Sequence, residues 1–311
     1  MERHYRGVRT LRQHYDELGW DPLDVLADEA RQCKISVHPY LAAHVAVTQI
    51  PNWHSPLGEW YPVVMANEFA AAHPELWRAL RSGENTMSRL HMGILSPAFP
   101  EARGYEAGVF AGIAARYQVD GVQVEFLAQA LDKHGVSELG YEEPVVVSFR
   151  ASRGRDPYQI ENADEEWVTH RAAYTTVYMR EVIQSAKAVR DGVHVDVTVI
   201  SRPSRLQYLG QFTPWWEWQG IDSLCLWHLT DDPGRVHDET EWATIKAPGG
   251  TAVVAQLACY GQNRLNNAEL LLEAGRQAVD AGARRLGVYR ADAVESLGLW
   301  AAVERLAAMG S

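Results

Sequence analysis

Short runs in which every second residue is polar recur along the chain, separated by stretches of helical spacing. The sharpest is Tyr117-Gln-Val-Asp-Gly-Val-Gln-Val-Glu125-Phe. With a period of two, Val122, Val124 and Phe126 point one way, and Gly121, Gln123 and Glu125 the other. A parallel strand in an ordinary covered sheet is apolar on both faces, so the polar face points into a space that tolerates an ionisable group. Ile35-Ser-Val-His-Pro-Tyr40 places Ser36, His38 and Tyr40 on one face, and Val193-His-Val-Asp-Val-Thr-Val-Ile200 places His194, Asp196 and Thr198. Ser223, Cys225 and Trp227 alternate with Leu224 and Leu226, Gln256 sits among Val253, Val254 and Leu257, and Leu286-Gly-Val-Tyr289 closes the series.

Between these runs lie amphipathic stretches. In Asp164 to Val189, Trp167, Tyr174, Val177, Val182 and Ala186 recur at helical spacing, with Asp164 as N-cap and Gly192 as terminator. Asp21 as N-cap and Pro22 at the first position open another helix. Strand alternating with helix predicts a (β/α)₈ TIM-type barrel. A doubly wound open sheet is the alternative, weakened by the polar inward faces and the lack of a glycine-rich first turn. Counting from Ile35, with a weak strand at His91 to Leu95, gives seven strands. The first strand is therefore expected upstream of this chain, or else the barrel is open and exposes two sheet edges, a route to a homo-oligomer.

The 311 residues carry no linker or low-complexity tract, which predicts one barrel domain over 1–311 with a long loop, 127–162, walling the site. A net charge of −11 argues against nucleic acid or an anionic membrane as partner. No run reaches the roughly 18 apolar residues of a membrane span, and the opening Met1-Glu-Arg-His-Tyr-Arg is not a secretory signal. Cys33, Cys225 and Cys259 have no metal or disulfide spacing and read as small buried hydrophobes. The histidines lack paired spacing, so neither metal nor cofactor is expected.

Several ordered motifs resemble the glycosyl hydrolase-like proteins of family 10 type. They are Trp20-Asp-Pro-Leu-Asp-Val-Leu-Ala-Asp-Glu-Ala with Ile35-Ser-Val-His-Pro-Tyr40, then His73-Pro-Glu-Leu-Trp77, Ser96-Pro-Ala-Phe-Pro-Glu-Ala-Arg103, and Arg116-Tyr-Gln-Val-Asp-Gly-Val-Gln-Val-Glu125. Gly140-Tyr-Glu-Glu-Pro-Val-Val-Val-Ser-Phe149, Gly154-Arg-Asp-Pro157 and Trp167-Val-Thr-His-Arg171 are similar to a subgroup with a long loop after strand four. The resemblance implies a barrel acting on carbohydrate. It also marks a departure, since the family usually has Asp where this chain has Glu125.

Read from the residues alone, Glu125 is a carboxyl at the C-terminal end of a barrel strand, where barrel sites form. Partial burial would raise its pKa toward that of a general acid. Glycoside hydrolysis needs a second carboxylate as nucleophile or base, for which Asp292 and Asp231 are candidates beside Asp232. The run Thr251 to Tyr260 holds Gln256 and no acid, so a nucleophile there is excluded. The competing reading of Glu125 is a structural ion pair with Arg150, Arg202 or Arg290. His38, Tyr40, Trp53, Gln123, Arg150, Trp227, His228, Gln256, Tyr289 and Arg290 are the candidate substrate contacts. Indole faces suit sugar C–H surfaces, and Arg150 or Arg171 would suit a uronate or sulfate. Trp60 is a further platform in a loop with Trp53, whereas Trp77, Trp167, Trp300 and the Trp215-Trp-Glu-Trp218 cluster are assigned to packing. A glycosidase is the leading function, a carbohydrate-binding barrel without turnover the rival, and a lyase or isomerase using Tyr40, Tyr289 or His228 the third.

Overall fold

The computed structural model describes residues 19–54, 60–66, 68–86, 92–126, 131–260 and 264–309, with backbone alone for 45–54, 60–66 and 92. The chain opens with helix α1 (Pro22–Gln32), strands β1 (Tyr40–Ala42), β2 (Val45–His54) and β3 (Trp60–Ala66), helix α2 (Glu68–Ala72) and strand β4 (Met92–Ile94). Helix α3 (Pro100–Arg116) leads to β5 (Gly121–Glu125), followed by α4 (Glu143–Arg153), α5 (Glu165–Lys187), β6 (His194–Ile200) and α6 (Arg205–Gly210). The remaining elements are β7 (Ser223–His228), α7 (Pro233–Lys246), β8 (Ala252–Ala258), α8 (Ala268–Asp280), β9 (Arg285–Tyr289), α9 (Ala291–Ser296) and α10 (Trp300–Ala307).

Strands β1, β5, β6, β7, β8 and β9 lie side by side in that order, every pair parallel. From β5 on, each strand neighbours the next in sequence with no reversal of order. A doubly wound sheet requires such a reversal, so this is the wall of a TIM-type barrel. The valines behave as their alternation demands. Val122, Val124, Val195, Val197, Val199, Leu224 and Leu226 pack outward with Phe110 and Ala114 of α3 and Tyr178 and Val182 of α5 in the main core. Ala255 and Leu257 join Leu271 and Ala274 of α8 and Leu306 of α10 in the second. The opposite face carries Gln123, Glu125, Asp196, Thr198, Ser223 and Cys225 into the barrel interior.

Three assignments differ from the sequence reading. The run at Ile35–Tyr40 lies along β5, with the Val37 and Pro39 carbonyls accepting from the amides of Asp120 and Gln123, yet the regular strand is Tyr40–Ala42. Pro39 has no N–H to give the ladder, which delays the strand past it. The weak strand at His91–Leu95 exists as β4 but pairs antiparallel with β2, in a three-stranded sheet ordered β3-β2-β4. The parallel wall therefore has six strands among the described residues rather than seven. Trp53 and Trp60 belong to the β2–β3 pairing rather than to a loop; their side chains lie outside the described residues.

Packing also revises some minor assignments. Trp77, Trp167, Trp215 and Trp218 are buried as expected, and Tyr208 stacks on Trp242 at 5.3 Å with Trp215 edge-on at 5.2 Å. Such aromatic pairs contribute about 0.5–1.5 kcal/mol each beyond area burial. Trp300, by contrast, is 46% exposed, and Cys33 is exposed at the end of α1. The connection 127–162 contains α4, started at Pro144 and ended by Gly154 at φ +64°, so it is partly helical.

Candidate functional site

Strand register stacks the interior side chains in rows. Gln123 lies level with Tyr40, Asp196 and Ser223, and the next row toward the C-terminal ends holds Ala42, Glu125, Thr198, Cys225 and Val254. Above it come Ile200, Trp227, Gln256 and Gly287, and finally Ala258 and Tyr289. Glu125 thus sits within the barrel mouth, 9% exposed. Burial pushes its carboxyl pKa upward, and it forms no ion pair among the described residues. The expected alternative of a partnership with Arg150, Arg202 or Arg290 is not realised. Arg150 on α4 binds Asp156 at 2.9 Å, Arg202 is half-buried beside Tyr208, and Arg290 binds Asp292.

Around Glu125 the mouth is aromatic and hydroxylic. Tyr289 is raised above the usual phenol pKa, by burial first and then by the fields of Tyr40 and Glu125, which places these three groups within electrostatic reach of one another. The Trp227 ring meets Tyr289 at 4.8 Å between centroids, and its buried Nε1–H finds no acceptor among the described residues. Arg290 lies 4.5 Å over the Tyr260 ring and grips Asp292 through both Nε and Nη2. That grip holds the Asp292 carboxyl below its ordinary range. Gln256 is half-buried between Trp227 and Gly287. One row deeper, Gln123 donates from Nε2 to the Thr198 hydroxyl, which orients its amide under Glu125.

Other candidates fall elsewhere. His228 is fully buried on the outer face of β7, with Nδ1 3.3 Å from Glu239 and Nε2 3.1 Å from Thr240, both on α7. Trp227 faces the interior, so its neighbour must face the helices. This removes His228 from the mouth, and with it a proton-transfer role there. His38 lies at the level of Gly121, deeper than Glu125, with Nδ1 2.6 Å from Asp196 in a close contact that is not an aligned hydrogen bond. Arg150 sits on the surface of α4 and is not among the groups around Glu125. Asp231 is exposed in the loop after β7, and Asp232 caps α7 through the amides of Gly234 and Arg235. Trp53 cannot be placed as a side chain, since it lies outside the described residues.

Arg171 was expected as an anion clamp or a surface salt bridge and is neither. It is 3% exposed beneath the connection after β5, donating to the carbonyls of Ser137, Leu139 and Asn162. Burial lowers its pKa to about 10. Arg78, equally buried and also near 10, lies 4.1 Å over the Phe212 ring, with buried Glu142 as its largest attractive partner. Periodicity gave no sign of the burial of Arg78, which lies in a segment without regular alternation, whereas Arg171 lies on the buried face of α5, four residues after Trp167 and seven before Tyr178. None of the described helices is long and apolar enough to cross a membrane.

Residues 4–227 match the family Glycosyl hydrolase-like 10. The chain belongs to that family. Among solved structures, this glycosyl hydrolase-like 10 member is similar to the glycoside hydrolase domain of PgaB (BpsB) from Bordetella bronchiseptica, with a TM-score of 0.55 at 14% identity, covering 89% of this chain and 76% of that one. It is also similar to alpha-L-fucosidase isoenzyme 2 from Paenibacillus thiaminolyticus, with a TM-score of 0.54 at 12% identity over 91% of this chain and 39% of that one. A beta-galactosidase from the psychrophilic Marinomonas ef1 gives a TM-score of 0.50 at 13% identity, over 87% and 52%. At such identities the likeness establishes the shared barrel fold. No curated protein matches the chain.

Proposed function

We propose that this glycosyl hydrolase-like 10 protein is a glycoside hydrolase that cleaves an O-glycosidic bond of a poly- or oligosaccharide, with Glu125 as general acid. The observation that carries the reading is a buried carboxyl without an ion-pair partner, raised in pKa, at the C-terminal mouth of a parallel barrel and ringed by Trp227, Tyr289 and Tyr40. A carboxyl raised in pKa by burial holds its proton to higher pH than an ordinary one and can hand it to the leaving glycosidic oxygen, and barrel sites form at this end of the strands. Membership of a glycosyl hydrolase-like family supports the same class.

The chemistry then needs a group that stays ionised. Asp292 meets that condition, because Arg290 holds it as a carboxylate in the first turn of α9, three residues past Tyr289, which lies in the field of Glu125. Asp231, exposed after β7, is the other candidate. Trp227, Tyr289, Tyr40 and Gln256 supply the stacking faces and hydroxyl partners for the sugar, with Gln123 setting the floor.

One observation favours a second reading, a barrel that binds carbohydrate without cutting it. The Asp292 charge is already neutralised by Arg290, which leaves Glu125 as the uncompensated acid of the mouth. Reducing-sugar release from a broad polysaccharide panel, by wild type and Glu125→Gln in parallel, separates the two. Turnover by the wild type alone supports the hydrolase. Measurable sugar affinity with no product from either protein supports the binding barrel.

A further inference from the structure

Away from the mouth, an open bowl of about 630 Å³ lies between the turn at residues 79–85 and the start of the described connection after β5, and its lining includes Arg81, Ser82, Leu131, Lys133, His134 and Glu161. We propose that this bowl is a carbohydrate subsite, holding a distal part of the same polysaccharide whose scissile bond lies at Glu125. The inference rests on the hydrolase reading and adds that the substrate is a chain long enough to span both places.

Position is the first support. Leu131 follows Glu125 by six residues, so the bowl starts within about 21 Å of the acid even if the intervening chain were fully extended. The second support is that the bowl is built and held. Its two walls are joined by the Leu80–Leu139 bridge and by Gly140 and Tyr141 amides donating to the Ala79 carbonyl. Asp132 accepts from the amides of His134 and Val136 and from Asn162 Nδ2. From beneath, Arg171 pins the carbonyls of Ser137, Leu139 and Asn162. A buried guanidinium committed to three loop carbonyls fixes the shape of a surface that solvent alone would leave to fluctuate.

Lining chemistry names the ligand class. Arg81 and Lys133 line the bowl together with Asp132, Glu138 and Glu161, and His134 lies beside them, so both signs of charge are present and the lining is not built for an anion or a cation alone. Dense donors and acceptors of both signs suit the hydroxyls of a neutral sugar, each of which both gives and accepts. Leu131, 41% exposed, offers an apolar contact for a sugar C–H face.

The test titrates cello-, xylo- and N-acetylchito-hexasaccharides, with the matching disaccharides, into Glu125→Gln protein by calorimetry. The same titrations follow in Glu125→Gln carrying Ser82→Trp, which fills the bowl from an exposed position, and in Glu125→Gln carrying Lys133→Ala and His134→Ala. Unfolding midpoints within about 2 °C of the parent confirm that each variant is folded. The expected result is a hexasaccharide Kd raised about tenfold in both bowl variants, with the disaccharide Kd unchanged. Equal hexasaccharide affinity in all three proteins overturns the subsite and leaves the hydrolase reading intact. No hexasaccharide binding by any of them overturns the subsite as well. Hydrolysis of the same hexasaccharides by the wild type judges the underlying reading separately.

Discussion

Replacing Arg171 by Met keeps much of the aliphatic bulk and removes the guanidinium. Three hydrogen bonds are lost, to Ser137 and Leu139 from Nη1 at 2.8 and 2.6 Å and to Asn162 from Nη2 at 2.9 Å. Bonds from a charged donor contribute about 1.5–3 kcal/mol each, so their sum is about 5–9 kcal/mol if additive. Against this stands the cost of burying the cation, whose pKa falls to about 10. At about 1.36 kcal/mol per pH unit, that fall amounts to about 3 kcal/mol. The difference is about 2–6 kcal/mol, and we expect Arg171→Met to lose about 3 kcal/mol. For a chain of 311 residues, at about 2.1 cal/mol/K of unfolding entropy per residue, that loss lowers the unfolding midpoint by about 5 °C, which calorimetry or circular dichroism reads directly. Arg171→Lys should fall between, since one ammonium cannot serve three carbonyls in the planar fork geometry. A midpoint unchanged to within about 2 °C would refute the view that the connection after β5 is held from below by this side chain.

Four further outcomes follow from the geometry. A general acid must carry its proton, so kcat/KM should fall as pH rises through the raised pKa of Glu125, and a pH profile lacking that basic limb would remove Glu125 from the role. The same shift acts on stability with a definite sign. The folded protein holds this proton more tightly than the unfolded chain, so the contribution is present at acid pH and is lost as pH rises from the ordinary carboxyl range through the raised value. Denaturation of Glu125→Gln against wild type should therefore show the variant gaining relative stability as pH increases. Gly121→Ala would push a methyl to 2.7 Å from the His194 carbonyl oxygen and 2.6 Å from His38 Nδ1, costing about 1–3 kcal/mol in chemical denaturation. Trp227→Ala should weaken sugar binding about tenfold in calorimetry while leaving the fold intact, because the indole stands on the interior face of β7.

Much of the barrel was legible because its wall strands announce themselves twice, by alternation and by spacing. Val195, Val197 and Val199 against Asp196 and Thr198 have one solution, helices outside and polar groups inside, and β5 to β9 adopt it. The reading failed where parity was not applied strictly. Trp227 and His228 are adjacent on one strand and cannot both face the mouth; the alternation of Ser223, Cys225 and Trp227 already assigned His228 to the helix layer, where Glu239 and Thr240 receive it. β4 was misplaced because three residues carry no information about which sheet they join. That choice was made by β2, whose free edge accepted them. Arg171 and Arg78 were beyond reach for another reason: a buried cation, whether on helix α5 or in irregular chain, is stabilised by carbonyls and rings brought from distant segments, and those partners leave no local period.

The two candidate carboxyls, Glu125 and Asp292, lie in unequal environments before any substrate is considered. Glu125 lies among rings with no cation among the described residues to favour its charge, whereas Asp292 lies in the fork of Arg290, and the two environments push the two pKa values apart. Their residue types do not produce this asymmetry, since an isolated Asp and Glu differ little. It arises from the parity of β5, which turns Glu125 into the interior, and from the turn after β9, which sets Arg290 two residues before Asp292. A Glu rather than an Asp at position 125 extends the acid by about one methylene. A Glu125→Asp variant that retained full turnover would show that this reach is unused. A loss in kcat with sugar affinity preserved would show that the mouth is built around the longer arm.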